Sequence, residues 1–453
     1  MLIYLRAGSL QTKLKPKQHL YTRRILTNHM NKKFLTIGIA LVFVSLGIFL
    51  FGCTTEPIPT PEPEPINQQP VTLTNGVIEA NNLFALDLYS KYHSKEGNMF
   101  FSPYSISSAL AMTYEGAKGK TAEEMQAVLH LPNDKEKIRS DFVGINNELN
   151  KANKTYKLGV ANALWAQKDY TFINAYLNIV DDYYGGKVTN LDFKTDTEKS
   201  RITINSWVED KTNDKIKDLI PKGILKPDTR LVLTNAIYFK ANWSSQFDGE
   251  NTRDGQFKLI SGTDTNVKMM HQTNYFNYGE TSDLQILEMD YLGNDLSMLI
   301  ILPKENNLNQ VENIFNKEKL NEWKDDMQNK KVIVTLPKFK FETKYFMAKD
   351  LKEMGMPTAF KYPNADFTGI SPPTPESPNG ELYIGEVIHQ TFIEVAEYGT
   401  EAAAATAVIM VSGSAAPTEE PKIFRADHPF IFIIQEKETG NILFLGRVVD
   451  PTQ

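Results

Sequence analysis

An α+β fold is predicted for this chain of 453 residues. Helical patterns concentrate early in the folded part, strand patterns concentrate late, and no regular alternation of the two appears. Residues 77–95 place Phe84, Leu88 and Tyr92 at i, i+4 and i+8, which predicts an amphipathic helix. Ser102-Pro103 is a start signal for an apolar helix over 105–114. Thr121 and Glu124 have capping-box spacing at the head of a third helix over 121–129, and 200–219 reads as a fourth. Strands follow. Residues 156–166 look like strand, the run LVLTNAIYFK at 231–240 reads as a buried strand, and LSMLIILP at 296–303 reads as another, bounded by a proline. Residues 331–341 alternate Val332, Val334, Leu336, Phe339 and Phe341 with polar residues and break at Pro337. Residues 430–434 and 442–449 form a hairpin around 437–441. No linker-like break divides 71–453, so this stretch reads as one large domain.

The segment before it has a different character. Residues 34–52, FLTIGIALVFVSLGIFLFG, carry no charge and follow Asn31-Lys32-Lys33. A basic region ahead of an apolar one is a signal-peptide pattern, here over 30–52. Leu50-Phe51-Gly52-Cys53 resembles a bacterial-type lipobox, in which Cys53 takes a lipid and becomes the mature amino terminus. The alternative is an uncleaved membrane helix, since 19 apolar residues can span a bilayer. Met30 stands where a signal peptide would start, so 1–29 reads as an upstream extension. Residues 53–70 are rich in Pro and Glu and form an extended spacer. Both readings place the folded part outside the cell, tethered to a membrane.

Composition excludes several functions. The first 52 residues hold eight basic residues and no acid, so their removal takes the formal charge from −6 to −14. Nucleic acid is a poor partner for such a chain, because phosphate binding needs a clustered basic surface. Cys53 is the one cysteine, which leaves no disulfide within the chain and no thiolate metal cluster. The seven histidines are scattered without a metal-ligand spacing, so no metal and no cofactor is expected. Gly116-Ala117-Lys118-Gly119-Lys120-Thr121 resembles the end of a phosphate loop but has two residues between the glycines where four are needed, and it reads as a helix-to-helix turn. No HExxH and no GxSxG motif is present, and nothing in the sequence points to an enzyme.

One stretch is unlike the rest. Residues 397–417, EYGTEAAAATAVIMVSGSAAP, combine a helix-favouring alanine run with a strand-favouring Val408-Ile409-Met410-Val411. An apolar, uncharged run of this kind is an aggregation hazard if exposed. Such a segment is either core or a moving part.

Several segments, in order, resemble the serpin family. Residues 98–125, NMFFSPYSISSALAMTYEGAKGKTAEEM, resemble its helix B signature and following turn. Residues 234–247, TNAIYFKANWSSQF, are similar to a strand of its main sheet with the Trp-bearing turn, and 337–355 and 366–371 resemble later segments. Residues 382–406 resemble the fifth strand of the main sheet and the hinge, and 428–452 the carboxy-terminal hairpin. The resemblance implies three β-sheets, eight or nine helices and an exposed reactive-centre loop. It implies a monomeric suicide inhibitor whose partner is a serine protease. The protease cleaves the loop, is held as an acyl-enzyme, and is carried away as the loop inserts into the main sheet.

The residues fit that mechanism. The hinge would comprise Glu397, Gly399, Thr400, Ala402, Ala403, Ala404 and Ala405. Thr400, Ala402, Ala404 and Thr406 share one face at period two, and all are small. Neither proline nor a charge interrupts that face, so nothing there removes a ladder donor or buries an ion. In inhibitory members the residue before the cut lies fourteen after the hinge glycine, which from Gly399 gives Gly413-Ser414. Ser412 and Met410 remain alternatives. Small flanking residues imply an elastase- or subtilisin-like target, and a trypsin-like one is disfavoured because no Lys or Arg lies between Glu401 and Glu420. The resemblance further places Ser102, Ser105, Asn235 and His389 in the polar shutter where the sheet parts, and Trp243 in the breach where the loop enters. The alternative is a non-inhibitory serpin-fold binding or chaperone-like lipoprotein.

Overall fold

Local chemistry sets the helix on which the domain is built. Ser102 lies outside that helix in extended conformation, its Oγ accepts the Ser105 N–H at 3.2 Å, and Pro103 occupies the first turn, where a missing N–H costs nothing. Every residue from Pro103 to Glu115 is buried. A helix enclosed on all sides must carry small and apolar side chains all round, which ISSALAMT supplies.

The computed structural model describes residues 1–8, 76–151, 154–400 and 420–453. In chain order β1 (Leu2–Ala7) precedes α1 (Gly76–Tyr92), β2 (Met99–Phe101), α2 (Pro103–Glu115), α3 (Gly119–Val128) and α4 (Lys135–Leu149). Then come β3 (Lys157–Gln167), α5 (Asn174–Tyr184), β4 (Lys187–Leu191), α6 (Thr197–Lys211) and β5 (Thr229–Asn242). The next part is strand-rich: β6 (Arg253–Lys258), β7 (Asp264–Glu280), β8 (Leu284–Asp290) and β9 (Leu296–Pro303). After α7 (Leu308–Glu312) and α8 (Lys317–Asp325) come β10 (Gln328–Pro337), β11 (Phe339–Phe346) and α9 (Ala348–Met354). The chain closes with β12 (Leu382–Ala396), β13 (Gly399–Thr400), β14 (Lys422–Arg425), β15 (Phe430–Glu436) and β16 (Ile442–Val448).

Two hydrogen-bonded sheets carry the fold. In the first, β11 pairs with β12, β5 pairs with β3, and β3 with β4. The short strands β13 and β1 lie between β12 and β5 and are antiparallel to both, so the two long strands run in the same direction. The second sheet follows the order β14-β10-β7-β8-β9-β15-β16-β2, with β6 on β7. The 17-residue β7 is shared: Asp264 to Met269 pairs with β6, Met269 to Tyr278 with β10, and Asn277 to Glu280 with β8. The three sheets expected from the sequence therefore form two continuous ladders, because β7 belongs to two of them. Helix α2 packs on β5 and β16, between the sheets. A second, smaller core lies on the other face of the first sheet, where Ile204 and Val208 of α6 meet Trp165, Phe193, Leu2 and Tyr4.

Three local expectations change. Thr121 and Glu124 do not cap α3, whose first residue is Gly119. Instead the Thr121 hydroxyl accepts the Asp366 N–H at 3.0 Å, and Glu124 accepts the N–H and hydroxyl of Thr358 at 2.8 Å each, so both groups bind a distant turn. Helix α6 ends at Lys211 and not at 219, because Asn213 and Asp214 turn to positive φ (48° and 59°), where the helix cannot continue. The third change is at the amino terminus. Residues 1–29 were set aside as an upstream extension, yet Leu2–Ala7 forms a strand inside the first sheet. Its run of Leu, Ile, Tyr and Leu has the β-favouring, apolar composition of a strand buried on both faces.

Candidate functional site

Strands β5 and β12 define a slot. Among the described residues they are bridged by β13 at one end and β1 at the other. Between the two bridges lies a narrow crevice lined by Ile237, Tyr238 and Phe239 of β5, by Thr391, Phe392 and Ile393 of β12 and by Thr400 of β13. Backbone edges facing each other across such a crevice can accept one further extended strand, hydrogen-bonding it on both sides.

At the entry end the hinge is already strand. Gly399 pairs with Asn242 and Ala396, and Thr400 with Ala241 and Val395. Gly399 has φ 152°, and a Cβ there would collide with the Ala241 carbonyl and stand 2.7 Å from the Asn242 Cα, so the close approach of β5 requires glycine. Thr400 is 3% exposed and shares a 2.6 Å hydrogen bond with the Tyr291 hydroxyl. Tyr291 in turn stacks on Trp243 at 4.5 Å and 12°. The Trp243 indole donates to the Ala396 carbonyl at 3.0 Å, and its backbone N–H to the Tyr398 carbonyl at 2.8 Å. Trp243 thus fixes the turn between β12 and the hinge. Beside it Glu397 is held by Lys338 at 2.8 Å and by the Thr252 hydroxyl at 2.9 Å. Burial pushes the Glu397 carboxyl up, but these two partners outweigh it and hold the carboxyl below its ordinary range.

At the other end of the crevice is a buried polar cluster. The Ser102 N–H donates to His389 Nε2 at 3.0 Å, and the Ser102 hydroxyl to the Leu443 carbonyl at 2.7 Å. The Ser105 hydroxyl donates to Asn235 Oδ1, whose amide donates to Asn162 Oδ1 at 2.8 Å. Asn162 continues the chain to the Tyr184 carbonyl at 2.6 Å. The Met1 amino group donates to the Asn235 carbonyl at 2.7 Å. Asn235 and His389 sit on the two strands that flank the slot, while Ser102 and Ser105 belong to the head of α2 beneath it. Separating β5 from β12 here would break some of these hydrogen bonds, at about 1–3 kcal/mol for each buried polar atom left alone.

Two groups in this cluster titrate abnormally. Burial pushes the Met1 amino group down from 8.0 to about 5. Burial, and after it the positive Met1 amino group, pushes the His389 imidazole well below its usual 6.5. Both bind protons more weakly in the folded chain than in the unfolded one. Their contribution to stability is therefore whole above pH 8 and is lost as pH falls, through the amine first and through His389 as well below 6.5. The slope is expected to reach about 1.4 kcal/mol per pH unit for each group. Thermal midpoints of the whole chain taken between pH 8 and pH 5.5 test this, and a flat profile would contradict it.

The structure thus brings Glu397, Gly399, Thr400 and Trp243 together at one end of the slot, and Ser102, Ser105, Asn235 and His389 at the other. Ala402, Ala403, Ala404, Ala405, the bond Gly413-Ser414, its alternatives at Ser412 and Met410, and Cys53 with the apolar run before it lie outside the described residues. No helix of the described residues is long and apolar enough to cross a membrane, and none of their His, Cys, Asp and Glu side chains group to hold a metal. Sequence reasoning missed Tyr291, Lys338, Thr252 and Asn162, which meet the site from positions far away in the sequence. Their sequence surroundings carry no local signal that points to the site.

The comparisons with known proteins agree with this architecture. Residues 79–451 match the family described as Serpin (serine protease inhibitor). An uncharacterized serpin-like protein of Methanosarcina acetivorans is 43% identical over 433 residues, covering 93% of this chain and 99% of its own. Leukocyte elastase inhibitor A of Rattus norvegicus is 40% identical over 383 residues, covering 82% of this chain and 98% of its own. Among solved structures, a cleaved, loop-inserted ovalbumin mutant is similar with a TM-score of 0.74 at 31% identity, over 83% of this chain and 100% of that one. The chain belongs to the serpin family and has the serpin fold.

Proposed function

We propose that this serpin is an inhibitor that traps serine proteases by loop cleavage and strand insertion. The observation that carries the reading is the hinge: Gly399 and Thr400 already form the first rungs of a strand between β5 and β12, with a crevice directly beyond them. The residues that would follow into that crevice, Glu401 to Ala405, are four alanines after one glutamate, and Ala402 and Ala404 would fall on the inward face with Thr400. The small residues around Gly413-Ser414 suit the narrow specificity pocket of an elastase- or subtilisin-like protease. A relative named for leukocyte elastase supports the same class. The charge-free run 34–52 and the Pro- and Glu-rich 53–70 support attachment to the outer face of a membrane, through a lipid on Cys53 or through the run itself.

The test is to mix a chain beginning at Val71 with elastase and with subtilisin, then to use denaturing gels and intact mass. A complex that survives denaturation, with release of a peptide beginning at Ser414, is the expected result. Cleaved serpin beside fully active protease would overturn trapping and favour the binding-protein alternative.

A further inference from the structure

The turn between α1 and β2 borders a pocket that shares no lining residue with the crevice between β5 and β12. Its volume is about 630 Å³, within the range of about 300–1,000 Å³ in which small molecules are held. One wall is apolar, made by Leu259 and Ile260 of the turn after β6 and by Val449 just beyond β16. Ile260 is 52% exposed, so this wall is apolar surface that a ligand would take out of water.

The floor is a buried ion pair with one atom left over. Glu312, the last residue of α7, has a fully enclosed side chain. Its Oε1 accepts the Tyr89 hydroxyl and Arg447 Nη1 at 2.8 Å each. The Arg447 guanidinium, 4% exposed, gives further donors to the carbonyls of His93 at 2.6 Å, of Gly97 at 3.3 Å and of Lys95. Glu312 Oε2 has no hydrogen-bond partner among the described residues. A buried carboxylate oxygen in that state is costly, and a donor brought to it is correspondingly favourable. His93 Nδ1 stands 4.0 Å from it, too far to donate, and the His93 ring, 27% exposed, lines the pocket. A ring closed onto Oε2 spends its Nδ1–H there and keeps Nε2 as an acceptor, whereas a ring turned aside leaves the carboxylate as the acceptor. Either way the floor offers an acceptor and takes a donor.

The surrounding charge selects the kind of donor. Arg447 is balanced by Glu312, and Lys95 by Asp350 at 3.3 Å, whereas Glu96 and Asp450 add negative charge to the lining. We infer that this pocket binds a small organic cation, a primary ammonium on a short apolar body. The ammonium is received by His93 and Glu312, and the body lies on Leu259, Ile260 and Val449. Such a ligand joins α1, α7, the turn after β6 and the end of β16, and it stabilises the folded chain by binding that form alone. The inference is independent of the function proposed above.

The experiment titrates phenethylamine into the full chain in a non-ionic detergent by calorimetry, with phenethyl alcohol as the neutral counterpart. Saturable binding of the amine with a dissociation constant of about 1 mM or below is expected, and of the alcohol about tenfold weaker or more. Isotope-labelled histidine rings are followed in the same titration by magnetic resonance, the His93 signal being the one lost in His93→Gln. That signal is expected to move with the amine. Ile260→Lys sets a second cation on the exposed wall and is expected to weaken the amine about tenfold or more while leaving the thermal midpoint of the ligand-free chain in place. Absence of saturable binding overturns the site. Equal binding of amine and alcohol overturns the selection by charge. An unmoved His93 signal during saturable binding puts the ligand elsewhere on the molecule and overturns the assignment, as does undiminished affinity in Ile260→Lys.

Discussion

Replacing Thr400 with arginine is expected to abolish covalent trapping by the chain beginning at Val71 while leaving loop cleavage intact. The Thr400 hydroxyl is enclosed, and its partner is Tyr291, stacked between Trp243 and the edge of Phe239. The described residues that line the adjoining crevice include no acidic side chain. A guanidinium forced into it is an uncompensated buried charge, with an effective penalty of several kcal/mol. The hinge would instead stay outside the sheet. Trapping depends on a race between insertion and deacylation. A barrier raised by about 3–5 kcal/mol slows insertion by about 150-fold to about 5,000-fold. Deacylation is a property of the protease and is untouched. On a denaturing gel the complex is expected to vanish and cleaved serpin to accumulate. Undiminished complex would sink insertion as the mechanism, and a Thr400→Ser control, which keeps the hydroxyl, is expected to trap normally.

Removal of the Trp243 side chain is the second large effect. The ring is 1% exposed, stacked on Tyr291 and hydrogen-bonded to Ala396. Trp243→Ala loses that packing and opens a cavity where β5, β12 and the hinge meet, and such truncations cost about 3–5 kcal/mol. The Ala396 carbonyl is left without its donor, and Tyr291 loses the surface that orients it toward Thr400. Chemical denaturation of the chain beginning at Val71 measures the loss. A change below about 1 kcal/mol would mean that the turn is held by other contacts. Faster exchange of the Thr400 amide is expected to accompany the loss, because Trp243 acts on the hinge through Tyr291.

The fold was legible where one physical signal sufficed. Leu296 to Pro303 is buried along its whole length and ended by proline, and the strand has those bounds. Ser102-Pro103 announces α2, and it is Ser102 that caps it. Where two signals compete, local pattern misleads: Thr121 and Glu124 have capping spacing, but their side chains are recruited by the 358–366 turn, a contact invisible to local reading. Gly399 was readable because a close turn against a neighbouring strand needs a residue without a Cβ, whereas the small residues after Thr400 lie outside the described residues. Tyr291, Lys338 and Asn162 were not readable, since their roles arise from contacts between positions far apart in sequence. The amino-terminal strand was missed for a different reason: residues 1–29 precede a signal-like segment, and that context outweighed the β-favouring composition of Leu2 to Leu5.

The unclosed middle of the first sheet has a consequence for how durability should be understood in this molecule. Among the described residues, 237–239 and 391–393 face each other across the crevice as two strand edges inside a sheet, where most proteins have a completed ladder. On the function proposed above, a lower-free-energy arrangement is open to the same sequence, in which the inserted loop closes the gap. What would then preserve the working form is the height of the barrier set by the packing of Trp243 at one end and by the Ser102, Asn235 and His389 cluster at the other. The lifetime of the active fold is then a rate and not an equilibrium, and a melting scan of it reads the clock as much as the thermometer.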